Sequence, residues 1–260
     1  MTDSVDGKAT AISVDSKATA IAKTVVVLEA LVEQRRLSAI ARATGLPTST
    51  VHRILQELVA LGWVREGEER DYMLGPGLLR LAGRGADDSD AARAARPALR
   101  TLCDRTGYTV HFGMRHGDEA VYVDKLEGRG AYGMRSRIGA GMALHCTAIG
   151  KAILAALPDD EVRLIAKRTG LPGRTPKTLT TAEALLADLD VVRTRGWAAD
   201  DEENYPKIRC IGVVVSDHRG LPVGAVSLSG LAFDMEREHV TRLAPLVVRA
   251  AQQVSAALGG

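Results

Sequence analysis

The chain has 260 residues, of which 46% are hydrophobic and 25% charged, and its formal net charge is +2. That length leaves room for one or two domains with a substantial core, and the balance of apolar to charged residues is that of a globular protein. A charge so close to zero does not by itself argue for nucleic acid. No apolar run approaches the roughly 20 residues that cross a bilayer, and the polar, small-residue start carries no signal-peptide core, so no membrane association is expected.

Cys103, Cys146 and Cys210 are odd in number and widely spaced, which points to neither a disulfide framework nor a zinc motif. The expected compartment is the reducing cytoplasm. Residues 1–16, MTDSVDGKATAISVDS, read as a disordered lead-in.

Residues 17–82 read as a winged helix-turn-helix. A first helix is predicted from Lys17 to Gln34, with Ile21, Val25, Leu28, Leu31 and Val32 as its inward stripe. The stretch Leu37 to Trp63 then reads as two short helices around a tight turn. Ser38 is placed to cap the first, Gly45 supplies the tolerance of positive φ that ends it, and Pro47 suits the first turn of the second. Val51, Ile54, Leu55, Leu58 and Leu61 give that second helix one apolar stripe. Off the stripe lie Thr48, Ser49, Thr50, His52, Arg53 and Gln56, compact polar groups suited to base edges and phosphates in a major groove.

Spacing of this kind also fits a surface helical hairpin with a solvated outer face. The residues after Leu61 favour DNA. Trp63 and Val64 read as a strand, Arg65 to Asp71 as a polar turn, and Tyr72 to Leu74 as a second strand stopped by Gly75-Pro76-Gly77, which makes a wing. Between Arg35 and Arg65 the positive residues are Arg35, Arg36, Arg42, Arg53 and Arg65, while Glu57 is the single acid, a local excess that suits phosphates.

Leu78, Leu79 and Leu81 begin another helical segment, and the small, acidic stretch Gly83 to Asp88 is expected to break it and mark a domain boundary. Residues 83–107 read as a linker helix region, capped by Ser89 or Asp90 and kinked or split at Pro97. Residues 108–260 change period. Strands are predicted at Tyr108–Met114, Ala120–Asp124, Ala131–Ile138, Trp197–Asp200, Cys210–Ser216 and Val223–Ser229. Helices are predicted at Thr147–Leu157, at Asp159–Lys167, from a Thr180/Glu183 capping box to Gly196, and from Glu236 to Leu258. The pattern is α+β, a mixed domain following the winged head.

Thr147-Ala148-Ile149-Gly150 opens a helix whose first N–H groups form a ready anion site. Ser227 and Ser229, two apart on a strand, present their hydroxyls to one side, and Asp200 and Cys210 stand at strand ends that could approach them. Such groups can hold a small carboxylate bearing a carbonyl or hydroxyl. Plainer readings stand beside this one: serines satisfied by the backbone, Cys210 as a small buried hydrophobe, and the acidic run from Asp200 as a solvated loop. His145 beside Cys146 suits a ligand pair or a structural pair, and Cys210 or Cys146 with His145 would suit nucleophile and base in an enzyme fused to a DNA-binding head. A metal-dependent sensor would draw on His145, Cys146, Asp200 and Cys210, but their spacing does not demand a metal. No GxSxG elbow, P-loop, HExxH or dinucleotide fingerprint occurs, so no enzyme activity and no cofactor are expected.

Several separate blocks, in order, carry a resemblance. They are LPTSTVHRILQELVALGWV on the DNA side, YVDKLEG (Tyr122 to Gly128), LHCTAIGKAILA (Leu144 to Ala155), GWAADDEEN (Gly196 to Asn204), and Arg209-Cys210 followed by Val226-Ser227-Leu228-Ser229-Gly230. From about Ala18 to Ala257 the chain resembles the IclR family of bacterial transcriptional regulators. The resemblance implies a GAF-like effector-binding domain, a homodimer or tetramer (a dimer of dimers), a double-stranded DNA operator and a small carboxylic or aromatic acid as effector. It implies effector contacts from the backbone of Ala148 and Ile149 and from the side chains of Asp200, Cys210, Ser227 and Ser229. Met134, Met142 and Leu144 are candidates for an apolar wall, and Ile149 is bulkier than the residue common there in the family. The expected function is a repressor: Arg35, Arg36 and Arg53 grip phosphates, Thr48, Ser49, Thr50, His52 and Gln56 read bases, and the effector sets operator affinity.

Overall fold

A computed structural model describes residues 18–259 except Arg70, Asp88, Ser89, residues 131–133 and Arg135; the expected lead-in lies outside the described residues. The chain divides into two compact units, one ending at Asp88 and the other starting at Ser89.

The first unit holds α1 (Ala20–Glu33), α2 (Leu37–Thr44), α3 (Thr48–Ala60), β1 (Val64–Glu66), β2 (Tyr72–Leu74) and α4 (Pro76–Asp87). Thr19 caps α1 by accepting the Ala22 N–H. The face that α1 buries is Val26, Val27 and Leu31, whereas Ile21, Val25 and Val32 are exposed. This helix is apolar on more than one side, so its sequence did not select the packing face; contact with α2 and α3 does. Ser38 is not the cap of α2. Arg36 occupies that position in extended backbone, bridged to Asp71, so the helix starts at Leu37, earlier than expected, and takes Ser38 into its first turn. Gly45 ends α2 at φ 70°, as a left-handed cap should.

Pro47 immediately precedes α3, whose Val51, Ile54, Leu55 and Leu58 are buried. Leu61 is exposed instead: α3 stops at Ala60, and Gly62 at φ 71° turns the chain away before Leu61 can point inward. The wing is an antiparallel pair with Val64 opposite Leu74 and Glu66 opposite Tyr72. Gly83 and Gly85 lie within α4 and do not break it. A helical glycine costs about 1 kcal/mol, which weakens a helix without ending it.

The second unit is a six-stranded antiparallel sheet in the order β5-β4-β3-β8-β7-β6. Its strands are β3 (Thr109–His116), β4 (Glu119–Leu126), β5 (Gly141–Ala143), β6 (Ala198–Asp201), β7 (Ile208–Ser216) and β8 (Pro222–Leu231). Five helices accompany it among the described residues: α5 (Asp90–Thr106), α6 (Ala148–Ala155), α7 (Asp159–Thr169), α8 (Ala182–Arg195) and α9 (Arg237–Ala257). One core joins α5 and α9 to Phe112, Ile211, Val226 and Leu228 of the sheet. A second joins α6, α7 and α8 to Ala120, Ala198 and Ala225.

Pro97 sits inside a single continuous α5. The strand expected over Ala131–Ile138 is absent among its described residues. There Lys125 Nζ donates to the Met134 carbonyl at 2.7 Å and the Ser136 carbonyl at 2.9 Å, so these acceptors are met by a side chain and not by a ladder. The edge strand is β5, whose Gly141 to Ala143 pair with β4. The cap of α8 is Thr181, which accepts the Ala184 N–H at 3.2 Å; the expected Thr180 lies one residue outside.

Candidate functional site

Two regions carry the candidate chemistry, one in each unit. In the first, the α3 stripe fixes the opposite face outward. Thr48, Ser49, His52, Arg53 and Gln56 are exposed, Thr50 is half-buried, and Arg35 and Arg36 are exposed. The wing braces this face. The Tyr72 N–H donates to the Arg35 carbonyl at 2.7 Å, and Gln56 Nε2 reaches both Glu66 Oε2 and the Tyr72 hydroxyl at 3.4 Å. Arg53 pairs with Glu57 at 3.0 Å across one helical turn, with both side chains mostly in solvent. An exposed pair of this kind holds loosely, so the guanidinium is available to a phosphate.

The second region is a cavity of about 320 Å³ between the sheet and the start of α6. Three glycines let the elements close in. A Cβ at Gly150 would stand 2.3 Å from Leu144 Cα, one at Gly212 would stand 2.2 Å from the Ala148 carbonyl oxygen, and Gly113 lies under the Ile149 side chain. Thr147 caps α6 by accepting the Gly150 N–H at 3.0 Å, while its hydroxyl donates to the Ala143 carbonyl at 2.7 Å. Register does the rest. Asp200 pairs with Cys210, Cys210 with Ser229, and Ser227 with His111 on β3.

Of the residues proposed from sequence, Met134, Met142, Ala148, Ile149, Asp200, Cys210, Ser227 and Ser229 all line this cavity. Leu144 does not. It is buried in the core with Ile149, Ile153 and Leu185, because the turn from β5 into α6 carries it beneath Gly150.

The cavity also gathers residues that the sequence reading missed. His111 Nδ1 lies 3.4 Å from the Ser229 hydroxyl and 3.5 Å from that of Ser227, and its Nε2 lies 2.7 Å from the Ser136 hydroxyl. The Tyr122 ring stands 5.0 Å from the His111 ring. Thr147, Ser136, Asn204 and Tyr205 complete the polar lining. Only the period of β3, which turns His111 and Gly113 to one side, hinted at His111; the register that sets it beside two serines is not local.

Burial dominates the electrostatics. The His111 imidazole is pushed down to about 3 by desolvation, with the positive Lys125 adding to the effect, so the ring is neutral. Asp200 is raised to about 7, first by burial and then by the charge of Glu203, against the pull of two backbone N–H groups and Lys151. Burial raises Cys210 and pushes Cys146 up to about 12, so both are thiols at neutral pH and not the thiolates that nucleophilic chemistry needs. His145 does not pair with Cys146: its Nε2 lies 3.1 Å from the Pro172 carbonyl, and the Cys146 thiol faces Asn204. No cluster of three or more metal-type ligands occurs among the described residues, and among them no lysine or arginine lines the cavity. The arrangement can hold a small polar molecule against hydroxyls, one carboxyl and a helix start.

A winged helix-turn-helix joined to a mixed α/β unit whose cavity sets a few polar groups in an apolar wall defines the class of ligand-sensing transcriptional regulators. The family model of the IclR helix-turn-helix domain matches residues 20–68, and that of the bacterial transcriptional regulator IclR C-terminal domain matches residues 85–256. This chain belongs to the IclR family. It is 35% identical over 236 residues to the HTH-type transcriptional regulator KdgR of Escherichia coli K12, covering 90% of each chain. The crystal structure of the Thermotoga maritima IclR protein matches with 32% identity and a TM-score of 0.72 over 92% of this chain and 98% of that one. An IclR homologue from Microbacterium hydrocarbonoxydans, solved with 4-hydroxybenzoate, shares the fold at 23% identity and a TM-score of 0.77, covering 92% of this chain and 99% of that one. Several further relatives are named as transcriptional repressors. These proteins are regulators and not enzymes. Among the described residues, no helix is long and apolar enough to cross a membrane.

Proposed function

We propose that the chain represses transcription by seating α3 in the major groove of an operator, and that a small organic or aromatic acid in the α6 cavity sets its affinity for that site. Residues 17–82 form the DNA-binding head, 83–107 a connecting helical region, and 108–260 the sensing and oligomerising domain. Arg35, Arg36 and Arg53 neutralise phosphates; Thr48, Ser49, Thr50, His52 and Gln56 read bases. The working form is a cytoplasmic homodimer or dimer of dimers, whose paired recognition helices would meet half-sites about one duplex turn, roughly 34 Å, apart.

One observation carries the effector reading: the N-terminus of α6 opens onto a cavity lined by Ser227, Ser229, Asp200 and Cys210. Free helix N–H groups and the helix dipole suit an anion there, and the Met134 and Met142 side chains suit an apolar body. The homologue that holds 4-hydroxybenzoate supports an acid of that size. A coupling of about 1–3 kcal/mol between the sites would change operator affinity roughly 5- to 150-fold.

The test is binding of purified protein to the DNA upstream of its own gene by fluorescence anisotropy, across a salt series and with a panel of small acids. Affinity that falls steeply with salt and shifts with one acid supports the reading. Salt-insensitive or absent binding overturns it.

A further inference from the structure

An acid in this cavity has no obvious counter-charge. Among the described residues, the lining includes the Asp200 carboxyl, 2% exposed, and no lysine or arginine. The buried cation behind it, Lys151 on α6, is already held by Glu203 at 2.5 Å and Asp188 at 2.9 Å. Two acids therefore share one base behind the cavity wall. His111 offers no positive charge, being neutral and buried. Cys146, Cys210 and Tyr122 lie near enough to Asp200 to feel its charge, and burial above all holds each of them protonated. An anionic ligand entering this space meets a second carboxylate, while the nearest other cation, Lys125, is already bound to the Met134 and Ser136 carbonyls and to Glu127, and a buried carboxyl beside a like charge favours its protonated form.

We propose that an acidic effector enters this cavity together with one proton, which resides on the Asp200 carboxyl. The proposal rests on the reading that the cavity takes a small acid. Asp200 Oδ1 already accepts the N–H groups of Glu203 at 2.8 Å and Asn204 at 3.3 Å, so the proton belongs on Oδ2. There it turns a repelling oxygen into a donor, and the pair becomes a carboxylic acid hydrogen-bonded to a carboxylate, a strong charge-assisted bond. The balance is simple: protein, ligand anion and one proton from solvent give the complex, and no covalent bond changes between heavy atoms. Burial already raises the Asp200 carboxyl toward neutral pH, so this proton is accessible under ordinary conditions.

The sign follows from linkage. Where Asp200 is protonated before the ligand arrives, affinity is independent of pH. Above about pH 7 the proton must be taken from solvent, and affinity falls toward tenfold per pH unit. The sensor would then answer to acidity as well as to the acid.

Calorimetry on the full chain tests this, with pyruvate, benzoate and 4-hydroxybenzoate as probes, in phosphate and in imidazole, whose ionisation enthalpies differ. For a probe that binds, the expected result is uptake of close to one proton at pH 8, shrinking toward none at pH 6, and a Kd that is flat below pH 6.5 and climbs above pH 7. Asp200→Asn keeps an oxygen for the two backbone donors and should give a Kd that does not vary with pH and no proton uptake. Ser229→Ala should weaken binding at every pH and leave the slope intact. Binding without proton uptake at pH 8, or uptake that survives Asp200→Asn, overturns the proposal while leaving the effector reading standing. If none of the three acids binds, the effector reading fails and this one falls with it. The proton count is measured on the unaltered protein, so it decides the matter even if Asp200→Asn does not fold.

Discussion

Lys151 Nζ lies 2.5 Å from Glu203 Oε1, with 1% of one side chain and 10% of the other exposed. Lys151 also reaches Asp188, so one ammonium faces two acids at the back of the α6 cavity. A buried pair of this kind adds little net stability, because desolvation of both ions offsets their attraction. Breaking it is another matter. Lys151→Met strands Glu203, whose Oε2 already lacks a hydrogen-bond partner, and should cost about 3–5 kcal/mol at pH 7.5. The Glu203 carboxyl is raised by burial, so acid protonates it more readily and relieves the strain. Urea denaturation should show the loss shrinking between pH 7.5 and pH 5, and Glu203→Gln added to Lys151→Met should restore part of it. An equal loss at both pH values would refute this account.

His111 gives a second pH signature, of opposite sign. Its folded value, about 3, lies below the ordinary 6.5, so the neutral ring is favoured in the fold and unfolding takes up a proton in acid. This contribution is complete above pH 6.5 and is lost as pH falls toward 3. The slope is at most about 1.4 kcal/mol per pH unit between pH 6 and 4. His111→Asn removes it. Comparison of urea midpoints for the two proteins across that range should show the unaltered protein losing stability faster on acidification. Parallel curves would mean that the imidazole is not buried neutral.

Much of the fold was legible in the chain. The α3 stripe, the Gly45 stop and the wing are set by neighbours within a few residues, and so is the Thr147 start of α6. The serine pair on β8 follows from strand period alone. What escaped depends on distant contacts. Leu144 looks like any apolar residue before a helix, and only the fit of Gly150 against its backbone shows that it points into the core. His111 became part of the cavity because β3 pairs with β8, 118 residues away from it at Ser229. Among the described residues near Met134 there is no strand; the Met134 and Ser136 carbonyls accept from Lys125, a contact no local pattern announces. For α1, several apolar faces competed and tertiary packing chose among them.

The approach of α6 to β7 makes a third prediction. Gly212 leaves no room for a side chain, since a Cβ there would sit 2.2 Å from the Ala148 carbonyl oxygen and 3.0 Å from the Ile149 nitrogen. These are backbone atoms and cannot rotate aside. Gly212→Ala must push the start of α6 off the sheet and displace the N–H groups proposed to meet the effector. A stability loss of about 1–3 kcal/mol is expected. The thermal shift produced by a binding acid should fall further than that loss explains, because the ligand stabilises only a fold that still presents its site. Gly220→Ala, at a surface turn far from the cavity, is the comparison: it strains a backbone at φ 76° and should leave ligand binding unchanged.

The face of α3 separates the two kinds of DNA contact. Ser49, His52 and Arg53 are exposed and the stripe beneath them is complete without them, so alanine at any of the three should leave the head folded. Arg53→Ala removes one phosphate partner. Its effect should be uniform across operator variants and should reduce the slope of log affinity against log salt by about one. Ser49→Ala and His52→Ala should cost about 1–3 kcal/mol on the preferred operator and much less on unrelated DNA, relaxing the preference at one base position each. Anisotropy titrations on the operator and on single-base variants, at several salt concentrations, read both effects. A sequence-independent loss for His52→Ala, or a salt slope unchanged by Arg53→Ala, would show that α3 lies on the duplex in some other way.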